Sequence, residues 1–291
     1  RTQMTHNSVQ RFLFDDLDIR GAVAHLGSVW KQLLASRNYP LPVVELLGQM
    51  SITTLLLADN LKQPGRLTIQ LRGEGPVTLL VIDCDETLNL RCMAQHGEQI
   101  ETASLVDLLG KGQLMISLDM PSMREPYQSI VPIVGNSIAE IFEHYLVHSE
   151  QLASRFFLTA SASAAAGLFL QKMPSAEQRD ADGWARMETL ASTVKPDELL
   201  DLSSEYLLTR LFHQETVRLF DAQPVTHNVP ENREKIGTML LSLGRDEVYG
   251  ALKERSVIVI RDDLSNHEYR FDKADIDELF RNTPETPPTV H

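Results

Sequence analysis

Two carboxylates one residue apart, Asp83 and Asp85, follow the apolar run LLVI in the stretch LLVIDCDETL and precede Thr87. At the end of a buried strand, residues i and i+2 face the same side. A first carboxylate held there can attack phosphorus, and a second can carry the proton. Such chemistry needs a divalent cation, and Asp262 and Asp263 in VIVIRDD are the candidate magnesium ligands. The competing reading is a hairpin, with strand VTLLVID, turn CDET and strand LNLRCMA, in which the aspartates bond locally.

The spacing fits haloacid-dehalogenase-type phosphatases, where the motif ends the first strand of an α/β domain and a crossover helix follows. Here the next segment, LNLRCMA, reads as a second strand. The hairpin is therefore preferred, and a phosphatase using Asp83 and Asp85 is kept as the alternative. Other constellations are weaker. His144 and His148 stand at the i,i+4 spacing of a helical metal pair, but Tyr145 occupies the place of the glutamate that a zinc hydrolase requires. A solvated helix face explains them better. RGEGP at 72–76 has glycines but no phosphate-binding lysine and no following helix, so it reads as a turn. Cys84 and Cys92 could meet across the hairpin as a disulfide; two reduced thiols are the preferred reading.

The elements that must position these residues are those of a soluble α+β chain. The net charge of −13, with no Lys/Arg cluster, argues against nucleic acid as a partner. No apolar run approaching 18 residues is evident, so no membrane span is expected. RTQMTHNSVQ lacks a signal-peptide core, Met4 is read as the native start, and a cytoplasmic location is expected.

Phe12, Leu13 and Phe14 open an apolar region that is expected to turn at Gly21, and Pro40/Pro42 separate two helical patterns. Strand signals RLTIQLRG, VTLLVID, LNLRCMA, QLMISLDM and QSIVPIV follow, then the amphipathic helix SIAEIFEHYLVHSEQ, then RFFLTAS and GLFLQKMP. This predicts a mostly antiparallel sheet with helices over 1–175, a helical linker region over 176–224, and a small α/β unit over 225–291 ending in a frayed tail.

Several segments in order resemble the Hsp33 family (33 kDa chaperonin): RFLFDDLDIRG, YPLPVVELLGQM, LLLADNLKQPGRLTIQLRGEGPV, IAEIFEHYLVHSEQL, AGLFLQKMP and ELLDLSSEYLLTRLFHQETVRLF. The resemblance covers nearly the whole chain and places LLVIDCDETL on a sheet hairpin. It implies an ATP-independent holdase, not an enzyme, whose partners are unfolded or partly folded client proteins, with a homodimer also suggested. In the family a C-terminal module holds zinc through four thiolates, oxidation releases the metal, and the linker exposes apolar surface.

Here the matching positions carry Val229, Glu231, Asp262 and Ser265. Thiolate zinc sites rely on soft sulfur ligands, and Val229 cannot ligate. His227 and His267, with Asp262, are the residues from which a weak site could be assembled; solvent-facing histidines are the simpler reading. No cofactor is expected. The apolar run Val257–Ile260, with Ile236, Met239, Leu240, Leu243, Val248 and Leu252, is expected to replace the metal as the source of stability. The resemblance thus implies a holdase with its redox switch decoupled. Leu199, Leu200, Leu207, Leu208, Leu211 and Phe212 of the linker are the candidate client-binding residues.

Overall fold

The structure, a computed structural model, describes residues 7–101 and 104–282, so Met4 and the tail 283–291 lie outside the described residues. The chain forms two compact units, Arg1–Asn228 and Val229–His291. The first opens with strands β1 (Ser8–Phe14) and β2 (Ile19–Leu26), then helices α1 (Ser28–Leu34) and α2 (Leu41–Asp59). A meander of β3 (Arg66–Gly73), β4 (Val77–Cys84) and β5 (Leu90–His96) leads through α3 (Leu105–Leu109) to β6 (Gly112–Asp119) and β7 (Tyr127–Pro132). Then come α4 (Ile138–Ser149), β8 (Ser154–Ala160) and β9 (Ala165–Lys172). Four short helices follow, α5 (Ala176–Arg179), α6 (Gly183–Ala191), α7 (Pro196–Asp201) and α8 (Ser204–Leu211), and the two-residue strands β10 (Arg218–Leu219) and β11 (Gln223–Pro224) end the unit. The second unit comprises α9 (Arg233–Leu243), α10 (Arg245–Arg255), the hairpin β12 (Ile258–Asp262) and β13 (His267–Phe271), and α11 (Lys273–Arg281).

The strands between 66 and 132 build one antiparallel sheet in the order β5-β4-β3-β6-β7. The other large sheet runs β10-β1-β2-β9-β8, with β11 also on β1, and is antiparallel throughout. The architecture is α+β, as expected. Helix α2 joins the two sheets in one core: Leu47, Met50, Ile52, Leu55 and Leu56 are fully buried in it. By length and composition α2 is apolar enough to cross a membrane, contrary to the expectation that no such run exists. Its apolar residues are interrupted by Ser51, Thr53 and Thr54, which hides the run from inspection. Those hydroxyls donate back to the carbonyls of Leu47, Gln49 and Met50, so the helix satisfies its own polar groups and is buried in protein.

The region around Gly21 differs from expectation. The turn lies at residues 15–18, with Asp18 at positive φ, and Gly21 sits inside β2 directly opposite Phe12. A Cβ there would fall 2.2 Å from Phe12 Cζ and 2.5 Å from the Phe169 carbonyl oxygen. The glycine is needed for close approach of side chain to backbone, not for a bend. Gly21→Ala should lower the unfolding free energy by about 2 kcal/mol, read from denaturant unfolding of the full chain; an unchanged midpoint would contradict this packing.

Candidate functional site

Asp83 lies on β4 within the antiparallel meander, and no crossover helix follows it. Its nearly buried carboxylate accepts from Arg91 Nε at 2.9 Å, Arg91 Nη2 at 2.6 Å, Thr68 Oγ1 at 2.9 Å and Arg66 Nη1 at 3.2 Å. Both oxygens are engaged with cross-strand neighbours, Oδ1 with the two arginines and Oδ2 with Thr68, so the carboxylate is committed to holding the sheet together. Asp85 sits in the turn, where one carboxylate oxygen accepts from the Thr87 amide and hydroxyl and from the Asn89 amide. Although partial burial opposes it, these hydrogen bonds hold the Asp85 carboxyl below its ordinary value. Asp262 and Asp263 belong to the second unit, where Asp262 is committed to a turn of its own. Asp83, Asp85 and Asp262 are thus each engaged in local structure, and the phosphatase alternative is not favoured.

Cys84 and Cys92 are both buried and free. Cys84 pairs with Leu90 across the hairpin, and Cys92 with Ile82, so the thiols are offset diagonally rather than opposite. Burial pushes both thiols upward, Cys92 to about 11 and Cys84 further, with Asp85 and Asp83 adding to the rise at Cys84. A thiol this far from its thiolate reacts slowly with peroxide. His144 and His148 are exposed on α4 with ring centres 4.0 Å apart, and His148 Nδ1–H donates to the His144 carbonyl at 2.7 Å.

The candidate client-binding residues converge in one place. Leu199, Leu207, Leu208, Leu211 and Phe212 are buried, and half-buried Leu200 packs beside them. Their cover is the face of the six-stranded sheet turned away from α2, made by Phe12, Phe14, Ile19, Val23, Leu168 and Leu170. The Phe212 ring stands edge-on to Phe14 at 5.0 Å and tilted over Phe12 at 6.4 Å. These sheet residues were missed from sequence; the signal was the alternation Phe12, Phe14 and Leu168, Leu170, each set on one face of its strand.

Polar ties edge this apolar seam. Arg155 on β8 bridges Glu143 on α4, at 3.2 Å, and Glu188 on α6, at 3.0 Å. His25 Nε2–H donates to the Leu199 carbonyl at 2.9 Å, and Gln10 Nε2 to the Phe220 carbonyl at 2.9 Å. Burial raises the Glu143 carboxyl even though the Phe156 amide and Arg155 oppose the shift.

In the second unit, the four positions matched by resemblance to zinc ligands, Val229, Glu231, Asp262 and Ser265, do not form a donor set among the described residues. Asp262 Oδ1 accepts from the Leu264 amide at 3.2 Å and caps the hairpin turn, and the Asn266 amide closes it on the Asp262 carbonyl at 2.8 Å. Ser265 is buried, with its hydroxyl oxygen 3.5 Å from the His267 amide. Glu231 is exposed, and Val229 offers only its carbonyl, which accepts from His267 Nε2–H. His227 belongs to the first unit, where Nδ1–H donates to the Leu90 carbonyl at 2.7 Å. Among the described residues no three of His, Cys, Asp and Glu are grouped to hold a metal. These residues do not fit zinc, which in this family is a thiolate-held ion.

A family profile described as Hsp33 protein matches residues 7–272. The chain belongs to the Hsp33 family. It is 40% identical over 274 residues to a 33 kDa chaperonin of Methylobacillus flagellatus, covering 94% of each chain. It is 41% identical over 278 residues to a 33 kDa chaperonin of Azotobacter vinelandii, covering 93% of each. In fold it is similar to the crystal structure of the 33 kDa chaperonin (heat shock protein 33 homolog) from Thermotoga maritima. The TM-score is 0.80 at 20% identity, over 95% of this chain and 98% of that one.

The structural role of Asp83 is open to a direct check. Asp83→Asn weakens the charge-assisted hydrogen bonds to Arg91 and Arg66 and should cost about 1.5–3 kcal/mol of stability. Phosphate release from an aryl phosphate should stay at the blank rate in both wild type and variant; wild-type turnover abolished by the substitution would overturn this assignment.

Proposed function

We propose that this chain, a chaperone by its family, is an ATP-independent holdase whose apolar client surface is uncovered without a thiol switch. The observation that carries the reading is the seam between α5–α8 and the outer face of the six-stranded sheet. Undocking those helices would expose two complementary apolar surfaces at once, Leu199, Leu207, Leu208, Leu211 and Phe212 on one side and Phe12, Phe14, Ile19 and Leu168 on the other. A contiguous patch of that kind is what an unfolding polypeptide binds.

The energetics favour a reversible seam. Each buried Leu or Phe side chain contributes roughly 1.5–3 kcal/mol. Ordering each linker residue costs about 1–2 kcal/mol of backbone entropy. The net docking free energy is a small difference between these terms, so mild heating can open the seam while the α2 core stays folded.

Redox control of the family's kind has no chemical basis here. The chain's two cysteines, Cys84 and Cys92, lie on β4 and β5, and neither falls at a ligand-matching position. Peroxide therefore has no thiolate in the second unit to oxidise. The family resemblance extends the reading to a cytoplasmic protein, a homodimer, and a C-terminal unit whose opening frees the linker. That unit is small enough for its core alone to be marginal.

The test is light scattering of a heat-unfolded client with reduced protein, with and without prior peroxide. Equal suppression in both samples is expected, setting in on mild heating. Suppression only after oxidation would refute the decoupled holdase, and none under any trigger would leave an interaction module that kept only the fold.

A further inference from the structure

We infer that three alternate side chains of β13, His267, Tyr269 and Phe271, form a metal-free clasp on residues 229–233, tying together the two segments that a thiolate-held zinc joins in the family. The inference rests on the reading above that the readiness of this unit to open governs exposure of the linker.

Residues i, i+2 and i+4 of a strand share a face, and each of these three meets a successive part of the segment leading into α9. His267 Nε2 lies against the Val229 carbonyl. A carbonyl only accepts, so the ring proton sits on Nε2 and that nitrogen has no lone pair for a metal. The hydroxyl of Tyr269, which is 4% exposed, accepts from the Asn232 amide at 2.8 Å. Asn232 is also the N-cap of α9, its side chain accepting from the Lys235 amide at 2.9 Å. The tyrosine thus fixes the start of the helix as well as the segment before it. Phe271 carries the Arg233 guanidinium 4.1 Å above its ring, and Arg233 also pairs with Asp275 on α11 at 3.1 Å.

The ligand-matching positions are reused rather than left idle. Asp262 and Ser265 shape the turn that launches β13, and Asn266 takes the positive φ that the turn requires. Such a clasp is indifferent to chelators and to peroxide. Each neutral hydrogen bond shifts the opening equilibrium by a factor of about five, so the clasp is graded where a structural metal is all-or-none.

The experiment is native-state hydrogen exchange of the full chain, reading the Asn232 amide and the first turn of α9. Tyr269→Phe keeps the ring and removes only the hydroxyl that accepts from the Asn232 amide, and should speed exchange at Asn232 about fivefold. His267→Ala should open the same segment, whereas His267→Gln, which keeps an N–H donor, should restore most of the protection. A chelator should change nothing in the wild type. Unchanged Asn232 exchange in Tyr269→Phe, or one tightly held zinc per chain whose removal speeds exchange, would overturn the clasp whatever the chaperone assay gives. Faster exchange in Tyr269→Phe with client suppression unaltered at every temperature supports the clasp and overturns the heat-opened reading of function instead.

Discussion

A sheet that is apolar on both faces must be covered twice, and this requirement shapes the larger unit. Strand β9 is buried at every position from Ala165 to Gln171. Ala165 and Phe169 pack in the core that contains α2, and Ala166, Leu168 and Leu170 in the cluster that contains the short helices α5–α8. The two covers differ in kind. Helix α2 has 19 residues and is packed against both sheets. The helices on the other face have four to nine residues each. Helices that short are not stable by themselves in water and owe their order to the surface beneath them. One cover is therefore built in, and the other is held only by its seam.

The seam joins function to stability. Phe212 packs on both Phe12 and Phe14, so the residues that would grip a client are the ones that hold the linker in place. Arg155, by bridging α4 and α6 from β8, adds a charged tie at the rim. Ion pairs still open to solvent contribute little by themselves, and the apolar contacts carry the docking. The second unit has a compact core of Ile236, Leu240, Val248, Leu252, Tyr269, Phe271 and Ile276. It is ordered by this packing and by the hydrogen bonds of His267 and Tyr269.

Much of this was legible in the sequence where one face of an element meets solvent. Strands β3, β5 and β6 alternate between buried and more open positions, and the hairpin outweighs the Asp-x-Asp motif because a second strand, β5, and not a helix follows β4. Elements buried on both faces were harder. Strand β2 carries small and apolar residues on both faces, so no alternation marks it and the sequence places a turn at Gly21. In the second unit the period was read too generously: Met239 and Leu243 are 42% and 49% exposed, and Val259 is 51% exposed. The missing burial comes from Tyr269, Phe271 and Ile276, whose partners lie too far along the chain for periodicity to reveal. That no cysteine stands at the four positions matched to the family's ligands is legible residue by residue. The clasp is not, because two of its three contacts use backbone groups that carry no sequence signature.

The central claim is that clients bind the surface the linker uncovers. It is tested most directly by hydrogen exchange of the reduced chain across a temperature series, following the α8 peptide Ser204–Leu211 against α2. The account predicts that α8 loses protection at the temperature where client holding begins, while α2 stays protected, and that bound client restores protection at β1 and β9. Holding that begins while α8 remains fully protected would contradict it.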